Sequence, residues 1–492
     1  MGKLTFRIPH FCDVTESQRD FAWTAGVDRL PMEARGRFDG ERLEFVLPQR
    51  DHGGVVLQFP WPVEPWGELA LFTAPLLPDD NREYFLPLEL ARGKIGQLRN
   101  ALTEWTLLGL EVPRDIIDAI DDAVALFSQS LVGGKATRAG AKFAAEALQT
   151  AVDASFRLCD VYAAGAIAVR REMGRRIPFF QAVDLGTAVP SARVTDLIAE
   201  TFTTVSIDAG WRHTLLAEDR LDWDLPDSLV EWARVHRMPR TMGPLLRFDR
   251  YGLPEWLREV DDVDYIQRLA VDYLESVVRE YRGRISMWEV AGPVNLPLGF
   301  AWDEEDAANF LARCVHKVRS LDPATPIVLS VRQPWGEDLF RLRSQFSGLV
   351  LANAFVRAGL GLAGIVLEIH LGYAPAGTLP RDMLDLSRQL DYWGMLGTPL
   401  YVRFCTPADT GPDLLATGPA RPCSAPWTPV LQKAWTHHYL RMALTKPYVH
   451  GVFWSPFRDA EPHEFPHGGL IDISEQPKPA IEVLQELRAA LL

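Results

Sequence analysis

The chain has 492 residues, 47% of them apolar and 24% charged, with a formal net charge of −14 at pH 7. That length exceeds what one hydrophobic core organises, so two or three domains are expected. The composition excludes a disordered or collagen-like chain, and the negative charge argues against a nucleic-acid partner or an anionic membrane surface while leaving a carbohydrate substrate compatible.

Five scattered cysteines (Cys12, Cys159, Cys314, Cys405, Cys423) show no CxxC or Cys/His spacing. Neither a metal site nor a disulfide framework is expected, and nothing points to a cofactor. The first residues lack an apolar signal core and no run reaches transmembrane length, which predicts a cytoplasmic protein, or a secreted one if a leader has been removed. Oligomeric state is left open.

Residues 1–92 carry short alternating runs at Leu4–Ile8, Arg42–Leu47, Val55–Phe59 and Glu68–Phe72, separated by turn signals such as Phe38-Asp-Gly40. This pattern predicts a small β-sandwich-like domain. Trp61 and Trp66, in a Pro-rich loop, either stack on sugar rings, making the domain carbohydrate-binding, or plug a domain boundary. Residues 93–176 change to helical spacing and read as a helical connector, with Pro113 and the acids after it opening one helix.

Residues 177–492 alternate apolar strands with helices. Strands are predicted at Phe179–Val183, Thr203–Ile207, Met238–Leu246, Ile285–Val290, Pro326–Ser330, Gly364–His370, Pro399–Phe404 and His450–Trp454. Near-continuous apolar strands are those of a parallel sheet covered by helices on both faces. Eight such units in roughly 315 residues predict an α/β fold, a (β/α)8 TIM barrel. A doubly wound sheet would want a Gly-rich phosphate loop after its first strand, and Ala182-Val-Asp-Leu-Gly186 is not one.

Several stretches resemble the family 10 glycoside hydrolases, the retaining xylanases. The run ending in Ile207-Asp208, followed by Trp211-Arg212, resembles the family's second strand, with Asp208 and Arg212 in the places of an acid and a sugar-binding lysine. Met242-Gly-Pro-Leu-Leu-Arg-Phe-Asp249 before Leu253-Pro-Glu-Trp256 is similar to its Gly-His-Thr-Leu-Val-Trp-His segment, with Pro244 and Asp249 near the two histidines. Gly364-Ile-Val-Leu-Glu-Ile-His370 is similar to Gly-Ile-Gly-Leu-Gln-Gly-His, so the resemblance places His370 beside the nucleophile's position. Gly451-Val-Phe-Trp454 matches the closing strand. The resemblance implies a xylanase-like barrel acting on a polysaccharide or oligosaccharide. It also implies that both family glutamates are replaced, by Pro293 and Phe404, which removes the usual retaining pair.

Glu368 and Asp208 are the candidate substitutes. Glu368 shares a strand face with His370, where burial would raise its pKa toward that of a general acid, or where it satisfies the core through His370 or Arg403. Asp208 binds hydroxyls, activates water or caps a turn. Together they predict the wider carboxyl spacing of an inverting enzyme. Trp211, Trp335 and Trp454, with Trp288 and Trp302, stand near strand ends as stacking platforms or core. Asp249 is a candidate substrate-binding residue with Arg212 and His370. Otherwise it and Asp459 read as solvated loop acids, Glu289 as a structural ion pair, and His463 and His467 as solvated. A catalytically inactive protein that binds carbohydrate is the alternative, and metal chemistry on Glu368 and His370 ranks below both.

Overall fold

The computed structural model describes every residue except 1, 10–11, 13, 49–52, 135–136, 173–178, 250–251, 297–302, 343, 419, 424–426 and 492. The chain divides into two compact units, residues 1–175 with 379–389, and residues 176–378 with 390–423 and 427–492. The boundary expected between 176 and 177 falls on residues outside the described set.

The first unit holds a four-stranded sheet (Arg35–Phe38, Arg42–Leu47, Gly2–Arg7, Glu83–Phe85, in that order) and a three-stranded one (Trp23–Ala25, Val56–Val63, Gly67–Phe72). Helices run over Leu86–Leu107, Arg114–Val132 and Arg138–Glu172. The segment Pro60-Trp61-Pro62, expected in a loop, is strand, with Trp61 opposite Leu69. Trp23–Ala25 pairs only with residues 56–58 of this strand, so the prolines lie where one side of it has no ladder to supply. Trp61 and Trp66 are both buried, and Trp66 stacks on Phe156 at 4.2 Å, so neither ring presents an open face to a sugar.

The second unit is the barrel. Its strands are β1 (Phe180–Asp184), β2 (Thr204–Ile207), β3 (Arg240–Met242), β4 (Met287–Ala291), β5 (Ile327–Arg332), β6 (Gly364–His370), β7 (Leu400–Cys405) and β8 (Val449–Trp454). Each pairs in parallel with the next, and β8 closes onto β1. The predicted (β/α)8 barrel is therefore present, with all eight strands within a few residues of expectation. Only β3 is much shorter than its apolar run, because the chain turns at Gly243. That residue has φ +123°, and a Cβ there would sit 2.2 Å from the Glu289 carbonyl oxygen. Only glycine permits the turn and the approach together.

Alternation along the strands sorts the barrel interior into layers. The lower layer is apolar: Ala182, Met287, Val328, Val366, Tyr401 and Phe453. Two residues on, the same faces carry Asp184, Glu289, Ser330, Glu368 and Arg403, so chemistry begins one pleat above the core. Among the described residues no helix is long and apolar enough to cross a membrane.

Candidate active site

A cleft of about 460 Å³ opens at the C-terminal ends of the strands. Its floor is a chain of ion pairs. Glu368 accepts from Arg332 Nε at 2.8 Å and from Arg403 Nη1 at 3.1 Å. Arg403 also forks onto Glu289, at 2.8 and 2.5 Å. Arg332 continues to Glu464 at 2.5 and 3.2 Å, and Arg247 bridges Glu464 at 3.3 Å and Asp249 at 2.8 Å.

This arrangement corrects the expectation that burial raises Glu368. Burial alone would do so, but Arg332 and then Arg403 outweigh it and hold the carboxyl well below the usual range. An acid so placed stays ionised and has no proton to donate. Glu464 is held at about 2 by Arg332 and Arg247 against the same burial. His370 is lowered to about 3 by burial and by Arg332, so it is neutral, and its ring stacks on Phe465 at 3.9 Å.

The other carboxyls of the cleft stand at the ends of β1 and β2. Asp184 accepts the Gly186 N–H at 3.0 Å and the Ser455 hydroxyl, also at 3.0 Å. Burial and the charge of Asp208 together push Asp184 up to about 6. Asp208 accepts the Gly210 N–H at 2.7 Å, lies 3.6 Å from His213 Nε2, and is 36% exposed at its side chain. Sequence reasoning named Asp208 and missed Asp184. The signal was there: Asp184-Leu-Gly186 and Asp208-Ala-Gly210 repeat one Asp-x-Gly turn at adjacent strand ends, the aspartate oxygen taking the N–H two residues on.

The remaining predicted residues are dispersed. Arg212 and Trp211 line the cleft, but Trp211 is fully buried, donates to the Arg247 carbonyl at 2.9 Å and meets Phe248 edge-on. Trp335 and Trp454 are 1% exposed and lie outside the lining. Trp288 is core and donates to Asp322 at 3.0 Å, whereas Trp302 lies outside the described residues. Asp249 anchors Arg247 and is no solvated loop acid, and Asp459 is likewise engaged, 2.5 Å from Lys478. His463 is 7% exposed, with Nδ1 at 2.7 Å from the Glu461 carbonyl and Nε2 at 2.9 Å from Asp413, so the expected solvated histidine is a buried tether.

Phe404 faces the helices, 5.5 Å from the rings of both Tyr439 and Trp454, so β7 presents Arg403 and, by alternation, Cys405 inward. Pro293 follows β4 just beyond the inward-facing Glu289.

Xylanase 10B of Thermotoga maritima superposes with a TM-score of 0.50 at 15% identity, covering 65% of this chain and 98% of that one. In fold, this chain is similar to a xylanase. Xylanase 10B of Thermotoga petrophila, solved with xylobiose, gives a TM-score of 0.48 at 16% identity over 65% of this chain and 98% of that one. Endo-1,4-beta-xylanase 4 of Arabidopsis thaliana is 22% identical over 129 residues, 26% of this chain, and the chain spans only 22% of that relative's length. No protein-family model matches. The resemblance read from scattered motifs is thus borne out at the level of the barrel.

Proposed function

We propose that this is a glycoside-hydrolase-like protein acting on a neutral oligosaccharide at the barrel mouth, with Asp184 as proton donor and Asp208 as the partner carboxylate. The observation that carries the reading is Asp184, raised to about 6 by burial and then by its neighbour Asp208 at the adjacent strand end. Two neighbouring carboxyls set apart by their surroundings are what glycosidic cleavage asks for, one holding a proton and the other negative.

Asp184 would protonate the departing glycosidic oxygen, while Ser455 and the Gly186 N–H fix its orientation. Asp208, open to solvent, would activate a water or meet the anomeric carbon directly. Glu368 takes no part in proton transfer in this scheme. It balances Arg332 and Arg403 and keeps the floor in place. Arg247, Arg332, Arg403 and Arg458 are each ion-paired, which leaves none of these four to hold an acidic sugar.

Turnover of a panel of neutral aryl glycosides and oligosaccharides tests this. Asp184→Asn is expected to lower kcat by about 10²–10⁴-fold, the usual contribution of a general acid. Full activity in that variant would sink the assignment. Binding without turnover in the unaltered protein would favour the second reading, a carbohydrate-binding barrel without hydrolysis. The engaged floor and the lack of an open aromatic face among the described lining residues are compatible with that reading.

A further inference from the structure

The segment following β8, from Ser455 to Gly469, runs over the barrel mouth and is fastened to most of the other strand ends. Toward the β1 loop, the Glu461 carboxylate accepts the Thr187 N–H at 2.5 Å, and Arg458 donates to the Ala188 carbonyl at 3.2 Å. Toward the β7 loop, His463 N–H donates to the Leu415 carbonyl at 3.1 Å, its own carbonyl accepts from Thr417 at 2.8 Å, and Asp413 receives both His463 Nε2 and the His467 N–H at 2.9 Å. Glu464 reaches Arg332 at the end of β5 and Arg247 beyond β3. At β6, Phe465 covers His370, and the Tyr373 hydroxyl donates to the Pro466 carbonyl at 2.7 Å.

A segment tied to β1, β3, β5, β6 and β7 bars the mouth above the axis. Among the described lining residues, Asp208 and His213 on the β2 side are 36% and 46% exposed at their side chains, and Thr187, Thr417 and Pro462 are exposed along the rim. We infer that the cleft is a blind pocket that takes the end of a short neutral oligosaccharide, rather than an open groove that grips the middle of a polysaccharide. This rests on the carbohydrate reading above and narrows it to a substrate class. The volume, about 460 Å³, lies in the range of pockets that hold one small ligand. Asp208 is open to solvent with Asp184 beside it, so a terminal sugar seated under the strap would bring its glycosidic oxygen back toward the two carboxyls.

Calorimetric titration of Asp184→Asn with xylo- and gluco-oligosaccharide ladders, from the monosaccharide to the hexasaccharide, tests the pocket. A blind pocket gives an affinity that rises about tenfold or more over the first one or two added sugars, roughly 1.4 kcal/mol, and is then flat. Affinity that climbs steadily to the hexasaccharide overturns the pocket and leaves the carbohydrate reading standing. Failure of every sugar to bind overturns both. With the unaltered protein, rapid loss of viscosity in a xylan or β-glucan solution, the sign of internal cuts, would likewise refute the pocket alone.

Discussion

Replacing Glu368 by Gln keeps the side-chain volume and removes one charge from the barrel floor. At about 3 Å and an effective dielectric of about 20, each of its two arginine contacts is worth roughly 5 kcal/mol of attraction before desolvation is counted. Breaking a buried pair by removing one partner costs about 3–5 kcal/mol net. Here Arg332 keeps Glu464 and Arg403 keeps its fork on Glu289, so neither cation is stranded and the lower end applies, about 3 kcal/mol. For a unit of this size that corresponds to a drop in Tm of about 6 °C. Calorimetry at neutral pH measures it. The folded carboxyl lies below its unfolded value of about 4.3, so its contribution is complete above that pH and is lost as the pH falls further. The variant should therefore differ most near neutrality and converge with the unaltered protein in acid. A Gln variant that melts within about 1 °C of the unaltered protein at neutral pH would refute the network argument.

The alkaline limb of activity should follow Asp184, so turnover declines as the pH rises through about 6, read from the kcat/KM profile. Since the charge on Asp208 helps raise Asp184, Asp208→Asn should move that titration to lower pH, which carbon-detected NMR of the Asp184 carboxyl would follow even if turnover is abolished. His370, lowered to about 3, destabilises the fold in acid, because below about pH 6.5 the unfolded chain takes a proton that the folded one refuses. His370→Gln should flatten the stability curve between pH 6 and 5 by up to about 1.4 kcal/mol per pH unit, checked by denaturant titration. Phe404→Glu should create no hydrolase activity and should cost several kcal/mol in stability, since it places a carboxylate against Tyr439 and Trp454 in the helix-facing core.

The barrel was legible because its signal is repeated and local: eight apolar strands, each bounded by turn residues, each requiring cover on both faces. The site was less legible because its chemistry depends on which residues meet across the barrel. Nothing in Gly364–His370 alone says that Glu368 lies between Arg332 and Arg403, whose contacts come from strands 36 and 35 residues away. Without those partners, burial is the only force in view, and it predicts the wrong sign for the carboxyl. The tryptophans misled for a related reason. A ring near a strand end is equally consistent with an open platform and a packed core, and only the loops decide, as when the Arg247 carbonyl takes the Trp211 N–H. One-residue register errors cost as much: a strand's faces alternate, so placing Phe404 instead of Arg403 on the inside exchanges a helix contact for the centre of the ion-pair floor. What could have been recovered is Asp184. Its Asp-x-Gly turn duplicates that of Asp208 one strand earlier, and two acids at neighbouring strand ends must feel each other's charge whatever the loops do. A search for pairs of like groups at adjacent strand ends therefore looks for a repulsion that topology guarantees.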